Sequence, residues 1–331
     1  MLITTGRMTG AFHPPGTITG WEQAAACDID QEREQAMVGT SFLWLEITGR
    51  CQLACGHCYA DSGPTGSHGA MTVVDWVRVL DEAAALGAEM VQFIGGEPTL
   101  HPGLAQLVDH AVELGLAVEV FSNLVHVTPG LWEMFSREGV RLACSYYSDD
   151  PAQHAAVTGR ANSHVRTRAN ILEALRRSIP LRVGVVDTFD GQRAEQAMVE
   201  LRALGVAEVG YDRLRQVGRG VRDQLPSVDQ LCGHCATGVL AISSSGEVWP
   251  CVFSRWLPVG NVRTASLAEI VSGPRVTEVR DQLAARFEPI QVPCVPNMCD
   301  PQCGPRCSPA CGPQGGGSPC APRGGCRPNY E

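Results

Sequence analysis

The sequence has no excess of basic residues, no apolar run long enough to cross a membrane and no recognisable export signal. Its 26 lysine and arginine residues are outnumbered by 35 aspartate and glutamate residues, which gives a formal net charge of −9. Nucleic acids and anionic membranes attract basic surfaces, so we expect neither as a partner. Since no basic segment followed by an apolar one stands at the N-terminus, we expect a cytoplasmic protein.

Cysteine, in contrast, is abundant, with 15 residues in a chain of 331. A chain of this length without an export signal is not expected to be a disulfide-stapled secreted domain, and an odd number of cysteines cannot all pair internally. Clustered thiols in a reducing compartment are more often metal ligands. Three cysteines lie within residues 51–58 and ten between Cys232 and Cys326. Cys144 stands alone and is expected to pack as a small apolar residue, while Cys27 has no assignable role.

Between about residues 41 and 220, short β-rich runs alternate with amphipathic helical stretches, which is typical of a parallel sheet with helical crossovers. The predicted strands span residues 43–48, 90–95, 117–121, 141–146, 181–186 and 207–212. Six such units are too few for a closed eight-fold barrel of about 250 residues. We therefore predict an α/β fold with a partial (β/α)6 barrel at 41–222. An N-terminal extension at 1–40 precedes it, and a small, irregular, cysteine-rich domain at 223–331 follows.

The end of the chain is rich in cysteine, proline and glycine and has almost no hydrophobic periodicity. Proline follows each of its seven cysteines two residues later, which rules out a helix because proline also restricts the residue before it. Bound metal is the expected organiser of this segment. The seven cysteines are Cys294, Cys299, Cys303, Cys307, Cys311, Cys320 and Cys326.

Cys51, Cys55 and Cys58 follow the first predicted strand, where a parallel barrel places its active-site loops. Three thiolates can bind three irons of a four-iron cluster and leave the fourth iron open to a chelating molecule. A zinc loop is the alternative reading of the same spacing. A second motif, Gly95-Gly96-Glu97-Pro98, lies at the end of the second strand.

The two motifs together, with Tyr59 after the third cysteine, resemble the radical S-adenosylmethionine (SAM) family. The resemblance implies a [4Fe–4S] cluster with an open iron site on Cys51, Cys55 and Cys58, and SAM bound at that iron. An electron passed through the cluster would then split SAM and yield a 5′-deoxyadenosyl radical, which abstracts hydrogen from a substrate C–H bond.

The resemblance also implies contacts to the rest of the SAM molecule. Its amino group would meet Gly95, Gly96, Glu97 and Pro98, and its ribose would meet Ser122 and Asn123. Ser145 and Arg160 are similar to the pair that holds the SAM carboxylate in the subgroup with auxiliary clusters, and the planar fork of an arginine suits a carboxylate.

A second group of cysteines, Cys232, Cys235 and Cys251, resembles the entry to a SPASM or "twitch" domain, with Gly246 and Glu247 as a hairpin turn. The resemblance implies auxiliary clusters. The later cysteines depart from the usual family spacing of C-x2-C-x5-C-x3-C. Since ten cysteines fill two four-iron clusters with two to spare, we expect two auxiliary [4Fe–4S] clusters. One cluster with zinc or free thiols, a zinc module and a disulfide knot remain open.

Enzymes of the SPASM type commonly modify ribosomally made peptides, so the leading hypothesis is oxidative modification of such a peptide, for example a side-chain cross-link. The alternative is a dehydrogenase or epimerase of a sugar, an aminocyclitol or another small metabolite, with Cys232 or a spare thiol returning hydrogen. A non-catalytic electron carrier is the third reading, although such a protein needs no SAM pocket.

Several partners are expected. They are a peptide with a leader segment and an external electron donor such as ferredoxin or flavodoxin. Because about 40 residues before the first strand are too few for a leader-binding domain, a separate leader-recognition protein or the mouth of the barrel would have to recognise the leader. An arginine group after strand six would meet an acidic leader or a substrate carboxylate, or would form a solvated basic loop. Its members are Arg213, Arg215, Arg219 and Arg222.

Overall fold

The structure is a computed structural model that describes residues 40–233 and 235–287. The predicted N-terminal extension, Cys27 and the seven cysteines from Cys294 onward therefore lie outside the described residues. Within the described part, no helix is long and apolar enough to span a membrane.

Six parallel strands form the main part of the sheet. They are β1 (Phe42–Thr48), β2 (Met90–Gly95), β3 (Ala117–Phe121), β4 (Val140–Tyr146), β5 (Leu181–Asp187) and β6 (Glu208–Arg213). Each pairs in parallel with the next, in the order β6-β5-β4-β3-β2-β1. Strand β1 pairs on its other side with a later strand rather than with β6, so the barrel is open. The predicted α/β fold with a partial six-unit barrel is confirmed.

Three further strands extend the same sheet beyond β1. They are β7 (Val239–Ile242), β8 (Glu247–Trp249) and β9 (Gly260–Asn261), with β7 parallel to β1 and the last two antiparallel. Gly246 ends the turn between β7 and β8 with a φ of 85°, a conformation that glycine adopts without strain. The hairpin at this position matches the prediction, but its fusion to the barrel sheet was not expected. The domain boundary between residues 222 and 223 stays a prediction.

Helices cover the outer face of the sheet. They are α1 (Val73–Ala85), α2 (Leu104–Glu113), α3 (Pro129–Phe135), α4 (Pro151–Thr158), α5 (Ser163–Arg176) and α6 (Ala194–Ala203), followed after β9 by α7 (Leu267–Val271) and α8 (Pro274–Arg286). Thr72 and Asp75 form a capping box at the start of α1, and Thr128 caps α3 ahead of Pro129.

A charged layer lies inside the barrel, toward the N-terminal ends of the strands. Glu119 on β3 accepts two bonds from Arg182 on β5, at 2.8 and 2.7 Å, and a 2.8 Å contact from Arg141 on β4. Gln92 on β2 also donates to Glu119. Because side chains alternate along a strand, Phe121, two residues after Glu119, points to the same interior one layer higher. The charged layer therefore forms a floor beneath the C-terminal mouth of the barrel.

Candidate functional site

A cavity opens at the C-terminal ends of the parallel strands. It contains about 920 Å³ of free space, a figure that includes the part open to solvent. Cys51, Cys55 and Cys58 form one wall, and the ends of β2, β3, β4 and β6 form the others. The cavity therefore lies where the predicted cysteine loop and the predicted SAM contacts come together.

The loop that carries the three cysteines is folded back on the end of β1. The backbone N–H of Cys51 donates to the carbonyl of Gly63 at 3.0 Å, and that of Gly63 donates to Gly49 at 3.3 Å. Cys51 and Leu53 pack with Val125 in a small apolar cluster of their own. These contacts set the first cysteine against the core while Cys55 and Cys58 stay partly exposed.

The sulfur atoms of this loop accept hydrogen bonds from neighbouring nitrogen atoms. The N–H of Leu53 lies 3.4 Å from Sγ of Cys51, and the side-chain nitrogen of Asn123 lies 3.7 Å from the same sulfur. The N–H of Ser62 donates to Sγ of Cys58 at 3.3 Å. Donors aimed at sulfur stabilise the thiolate form and tune the potential of an iron–sulfur cluster.

The three thiols are close enough to influence each other's ionisation. Burial, then the charge of Glu97, raises the pKa of Cys51 to about 12, and the charge of Cys58 also raises it. Burial, then the charges of Cys58 and Cys51, raises the pKa of Cys55 to about 12. Without a cation the thiols of Cys51 and Cys55 stay protonated at neutral pH, and a cationic group beside them would favour their thiolate forms. The set therefore fits an iron–sulfur cluster that leaves one iron without a protein ligand.

In residues 40–233 and 235–287, no group of three or more histidine, cysteine, aspartate or glutamate side chains surrounds one point closely enough to hold a single metal ion. A four-iron cluster differs from such an ion, because its cysteines bind separate irons.

The Gly95-Gly96 pair lies directly on the backbone of the cysteine loop. The N–H of Gly96 donates to the carbonyl of Thr48 at 2.7 Å, and that of Glu97 donates to Arg50 at 2.9 Å. A Cβ on Gly96 would stand 2.3 Å from the Arg50 carbonyl oxygen, and Gly95 has a φ of 133°. Only glycine fits at these two positions, so their backbone can face the cavity.

The carboxylate of Glu97, in contrast, is turned into the protein and is fully buried. Its Oε1 accepts bonds from the backbone and hydroxyl of Thr99 and, at 2.8 Å, from the hydroxyl of Ser122. Its Oε2 accepts the N–H of Asn123 at 2.8 Å. Burial raises the pKa of Glu97, and these bonds oppose the rise. Pro98 is also buried, as the first residue of a short 3₁₀ turn.

The predicted SAM contacts thus divide into two groups. Gly95, Gly96, Asn123 and Ser145 line the cavity, whereas Glu97, Pro98 and Ser122 lie behind its wall. Arg160 follows the left-handed Gly159 that ends α4 and donates to the carbonyl of Gln52 at 3.2 Å, so it reaches the cysteine loop from outside the cavity wall. The roles assigned to these residues stay predictions.

Cys232, Cys235 and Cys251 form a second group of thiols. The sulfurs of Cys235 and Cys251 are 3.1 Å apart, and both residues are buried free cysteines. Hydrogen bonds to Cys232 and Cys251, together with burial, raise the pKa of Cys235. Burial acts against ionisation of Cys251, but bonds from Cys235, Ser254 and the local backbone outweigh it and lower the pKa of Cys251. A thiol whose pKa is lowered, beside a second thiol, is suited to bind metal.

Cys232 is not among the described side chains that line the large cavity. Its position beside Cys235 therefore favours a ligand over a hydrogen donor, and both roles stay predictions. Cys144, on β4, is fully buried in the core as expected, next to Ser145, which faces the cavity.

The four arginines at and after the end of β6 do not form one uniform basic surface. Arg213, Arg215 and Arg219 line the cavity. The side chain of Arg222 donates to nearby backbone carbonyls, those of Arg219 and Val221. The predicted contact of this group with an acidic leader or a carboxylate stays a prediction.

Several of the described residues that line the cavity were not identified from the sequence, among them Tyr147, Asp212 and Phe253. Tyr147 follows β4, Asp212 lies near the end of β6, and Phe253 comes two residues after Cys251. Burial lowers the pKa of His57 to about 4, with the charges of Arg219 and Arg222 adding to the effect, so the ring that contacts Tyr147 at 5.0 Å is neutral. The position of Asp212 at a strand end was a signal that could have been used.

Comparison with known proteins agrees with this arrangement. The family model described as the Radical SAM superfamily matches residues 45–201, and the SPASM model, described as an iron-sulfur cluster-binding domain, matches residues 221–308. A protein named PqqA peptide cyclase from Xanthomonas campestris pv. campestris (strain B100) is 26% identical over 267 residues, which cover 73% of this chain and 71% of that protein.

Solved structures share the fold. Streptococcus suis SuiB bound to S-adenosylmethionine has a TM-score of 0.63 at 15% identity and covers 80% of this chain and 74% of its own. The same protein bound to its precursor peptide SuiA has a TM-score of 0.63 at 14% identity, with 82% and 74% covered. The chain belongs to the radical SAM superfamily and carries a SPASM domain, and it is therefore an enzyme that uses a [4Fe–4S] cluster, SAM and auxiliary iron–sulfur clusters.

Proposed function

We propose that this enzyme modifies a ribosomally synthesised peptide by oxidation, most simply by joining two of its side chains. The observation that carries the proposal is the similarity over 73% of the chain to proteins named PqqA peptide cyclase. The fold shared with SuiB, whose structure was solved with a precursor peptide, is consistent with it. The alternative function is a dehydrogenase or epimerase of a small metabolite, and the experiment below distinguishes it from a peptide-modifying enzyme.

In this proposal Cys51, Cys55 and Cys58 hold the catalytic cluster, and the backbone at Gly95 and Gly96 receives SAM. When bound, these groups supply a 5′-deoxyadenosyl radical that takes a hydrogen atom from an unactivated C–H bond. Asn123 and the N–H groups of Leu53 and Ser62 hold the ligand sulfurs in place and favour their charged form.

The remaining SAM contacts act in two ways. Ser145 on β4 lines the cavity and would touch SAM directly, whereas Glu97 and Ser122 would hold the loops that do so. Arg160 supports the cysteine loop through Gln52. The side chains of Tyr147, Phe121 and Phe253 supply apolar walls, which exclude water from the reaction.

Joining two side chains removes two hydrogen atoms from the peptide in all. One leaves as a hydrogen atom to the 5′-deoxyadenosyl radical, and the other leaves as a proton and an electron. Among the described residues that line the cavity, Asp212 carries the one carboxylate. We assign the proton to a carboxylate oxygen of Asp212, and an auxiliary cluster held by the second group of cysteines would accept the electron.

The auxiliary clusters are assigned to Cys232, Cys235, Cys251 and the cysteines beyond the described residues. We propose two of them, as the cysteine count suggests. A ferredoxin or flavodoxin is proposed as the electron donor and a separate protein as the reader of the peptide leader. The cytoplasm is the proposed location.

The test is a reaction of the anaerobically reconstituted, reduced enzyme with SAM and candidate peptides. The candidates are short peptides encoded beside the gene for this chain. The expected result is 5′-deoxyadenosine together with a peptide that has lost two hydrogen atoms and shows a cross-link in fragment spectra. Conversion of a sugar or an aminocyclitol, with every candidate peptide unchanged, would assign the enzyme to the metabolite class.

Iron and sulfide counts on a Cys51→Ala/Cys55→Ala/Cys58→Ala variant test the cluster assignment separately. The variant should lose one four-iron cluster and keep the iron held by the other cysteines. A Cys144→Ala variant serves as the control, because that thiol lies in the apolar core. Equal iron in the triple variant and the wild type would show that the catalytic cluster is bound elsewhere.

A further inference from the structure

Arg219 is bonded to the catalytic cysteine loop through both its backbone and its side chain. It sits in the short turn Gly218–Gly220, about 160 residues after that loop in sequence. Its backbone N–H donates to the carbonyl of Cys58 at 3.0 Å, and its Nε donates to the carbonyl of Cys55 at 3.0 Å. Two of the three cysteines in the motif are therefore held through their backbone by one residue.

The rest of the guanidinium extends the same contact. Nη1 pairs with the carboxylate of Asp61 at 2.7 Å, and Nη2 donates to the carbonyl of Ser62. The N–H of Ser62 is the donor that reaches the sulfur of Cys58 at 3.3 Å. Arg219 thus fixes the backbone on both sides of Cys58 with a rigid fork that lysine cannot reproduce.

The backbone of the turn at Gly218 lies in close contact with the backbone of the cysteine loop. Gly218 has a φ of 58°, and a Cβ there would stand 2.4 Å from the carbonyl oxygen of Tyr59 and 2.5 Å from that of Cys58. The turn can lie against the loop only because this residue is glycine.

The same segment also reaches the second group of cysteines. Arg215 donates to the carbonyl of Gln230, two residues before Cys232. Its guanidinium lies 5.2 Å from the ring centre of Phe253, two residues after Cys251. Residues 214–222 are therefore anchored both to the catalytic loop and to the region of the auxiliary cysteines.

We propose that Arg219 is a positioning residue for the catalytic cluster: it clamps the loop that carries Cys55 and Cys58 and places a fixed positive charge beside the cluster. The clamp slows loss of iron, and the charge favours the reduced state, which carries one more negative charge. The proposal rests on the cluster and is independent of the identity of the substrate.

The experiment compares reconstituted wild type with Arg219→Gln, Arg219→Lys and Arg222→Gln. Two readouts are used: the rate at which a chelator removes iron, and the reduced fraction of the SAM-responsive cluster, measured by electron paramagnetic resonance at a fixed potential. The SAM-responsive part of the signal reports the cluster with the open iron. Arg222→Gln is the matched control, because it removes a positive charge from the same segment but no bond to the cysteine loop.

Arg219→Gln should lose iron faster and lower the ratio of reduced to oxidised cluster by about tenfold, a shift of about 59 mV for one electron. Arg219→Lys should keep a ratio within about threefold of wild type, because the charge remains, and should still lose iron faster, because the fork is gone. Arg222→Gln should match wild type in iron loss.

Wild-type iron loss and reduced fraction in Arg219→Gln would overturn the proposal. If that variant does not fold, as judged by circular dichroism, Gly218→Ala decides instead. The added methyl group pushes the turn away from Tyr59 while Arg219 stays in the sequence. Faster iron loss in Gly218→Ala supports the clamp, and wild-type iron loss in both Gly218→Ala and Arg219→Lys contradicts it.

Discussion

The backbone N–H of Asn123 donates to Oε2 of Glu97 across 2.8 Å and so joins the loop after β2 to the end of β3. Glu97 is fully buried, and its other oxygen accepts the hydroxyl of Ser122 at 2.8 Å. The side chain of Asn123 in turn reaches the sulfur of Cys51 at 3.7 Å. The carboxylate of Glu97 in the GGEP motif therefore acts as an internal brace. It fixes the position of Asn123, which lines the cavity and also contacts the sulfur of the cluster ligand Cys51.

Glu97→Gln is predicted to damage this brace although the new side chain has the same shape. An amide nitrogen would face the donors of Thr99, Ser122 and Asn123, which leaves at least one buried donor unpaired. We expect the free energy of unfolding of the apo-protein to fall by about 2–3 kcal/mol and SAM to bind about tenfold more weakly. Denaturant titration and equilibrium dialysis with SAM measure the two effects.

Ser122→Ala is the control for the brace, because it removes one of the bonds to Glu97 and leaves the carboxylate in place. The Ser122→Ala change should lower the free energy of unfolding by about 1 kcal/mol. Equal losses in the two variants would mean that the charge of Glu97 has no special part in holding the loops.

Gly96→Ala tests the close contact between the Gly95-Gly96 pair and the cysteine loop. The added Cβ would lie 2.3 Å from the carbonyl oxygen of Arg50, so one of the two loops must move. We expect SAM binding to weaken by at least tenfold, since about 1.4 kcal/mol of strain suffices for that factor. Equilibrium dialysis of the reconstituted variant measures the affinity.

The matched glycine is Gly130 in α3, where an added Cβ meets nothing within 4 Å. Gly130→Ala should bind SAM as the wild type does and should be more stable by up to about 1 kcal/mol, because alanine favours a helix. Unchanged SAM binding in Gly96→Ala would exclude the tight contact as a requirement of the site.

Arg182→Met is predicted to change how stability depends on pH. Burial alone would raise the pKa of Glu119, but Arg182, Arg141 and Gln92 outweigh it and lower that pKa. The stabilisation from Glu119 in the wild type is therefore present above the unfolded pKa of about 4.3 and is lost as the pH falls through the lower, folded value.

Without Arg182, Arg141 is the arginine that remains in contact with the buried carboxylate. We expect the variant to be about 3 kcal/mol less stable than the wild type at pH 7, with a smaller difference near pH 4, where a protonated Glu119 needs no cation. Denaturant unfolding of the apo-protein at both pH values measures this. Arg193→Gln breaks an exposed pair with Asp149 and should cost less than about 1 kcal/mol at either pH. If the loss of unfolding free energy in Arg182→Met were larger at pH 4 than at pH 7, the prediction would be contradicted.

The strands and the outline of the site were predictable because they depend on local pattern. The strand beginning at Arg141 in the prediction begins one residue earlier, at Val140, and the cysteine and glycine motifs follow β1 and β2 as the strand-end rule requires. Helix α6 begins only at Ala194, since the side chain of Gln192 is bonded to the backbone of Val186 and Thr188 before the helix starts.

Contacts between distant parts of the chain could not be predicted in this way. The inward turn of Glu97 depends on donors 25 and 26 residues away, and the grip of Arg219 on Cys55 spans 164 residues. The pairing of β7 with β1 likewise depends on the tertiary fold, because a short hairpin pattern does not specify which edge it will join.

Asp212→Asn tests the assignment of the proton. The asparagine keeps the size of the side chain but cannot take up a proton, so a hydrogen atom can still be abstracted from the peptide while the final loss of a proton is slowed. We expect cross-linked peptide to fall by about a hundredfold or more, with iron content retained and with more 5′-deoxyadenosine formed per cross-link. Asp187→Asn is the matched control: Asp187 ends β5 and binds the hydroxyl of Tyr211 at 2.9 Å, but it does not line the cavity among the described residues. Replacing the proton acceptor by an amide should uncouple cross-link formation from formation of 5′-deoxyadenosine. If Asp212→Asn kept the wild-type ratio of the two products, the proton would therefore have to leave by another route.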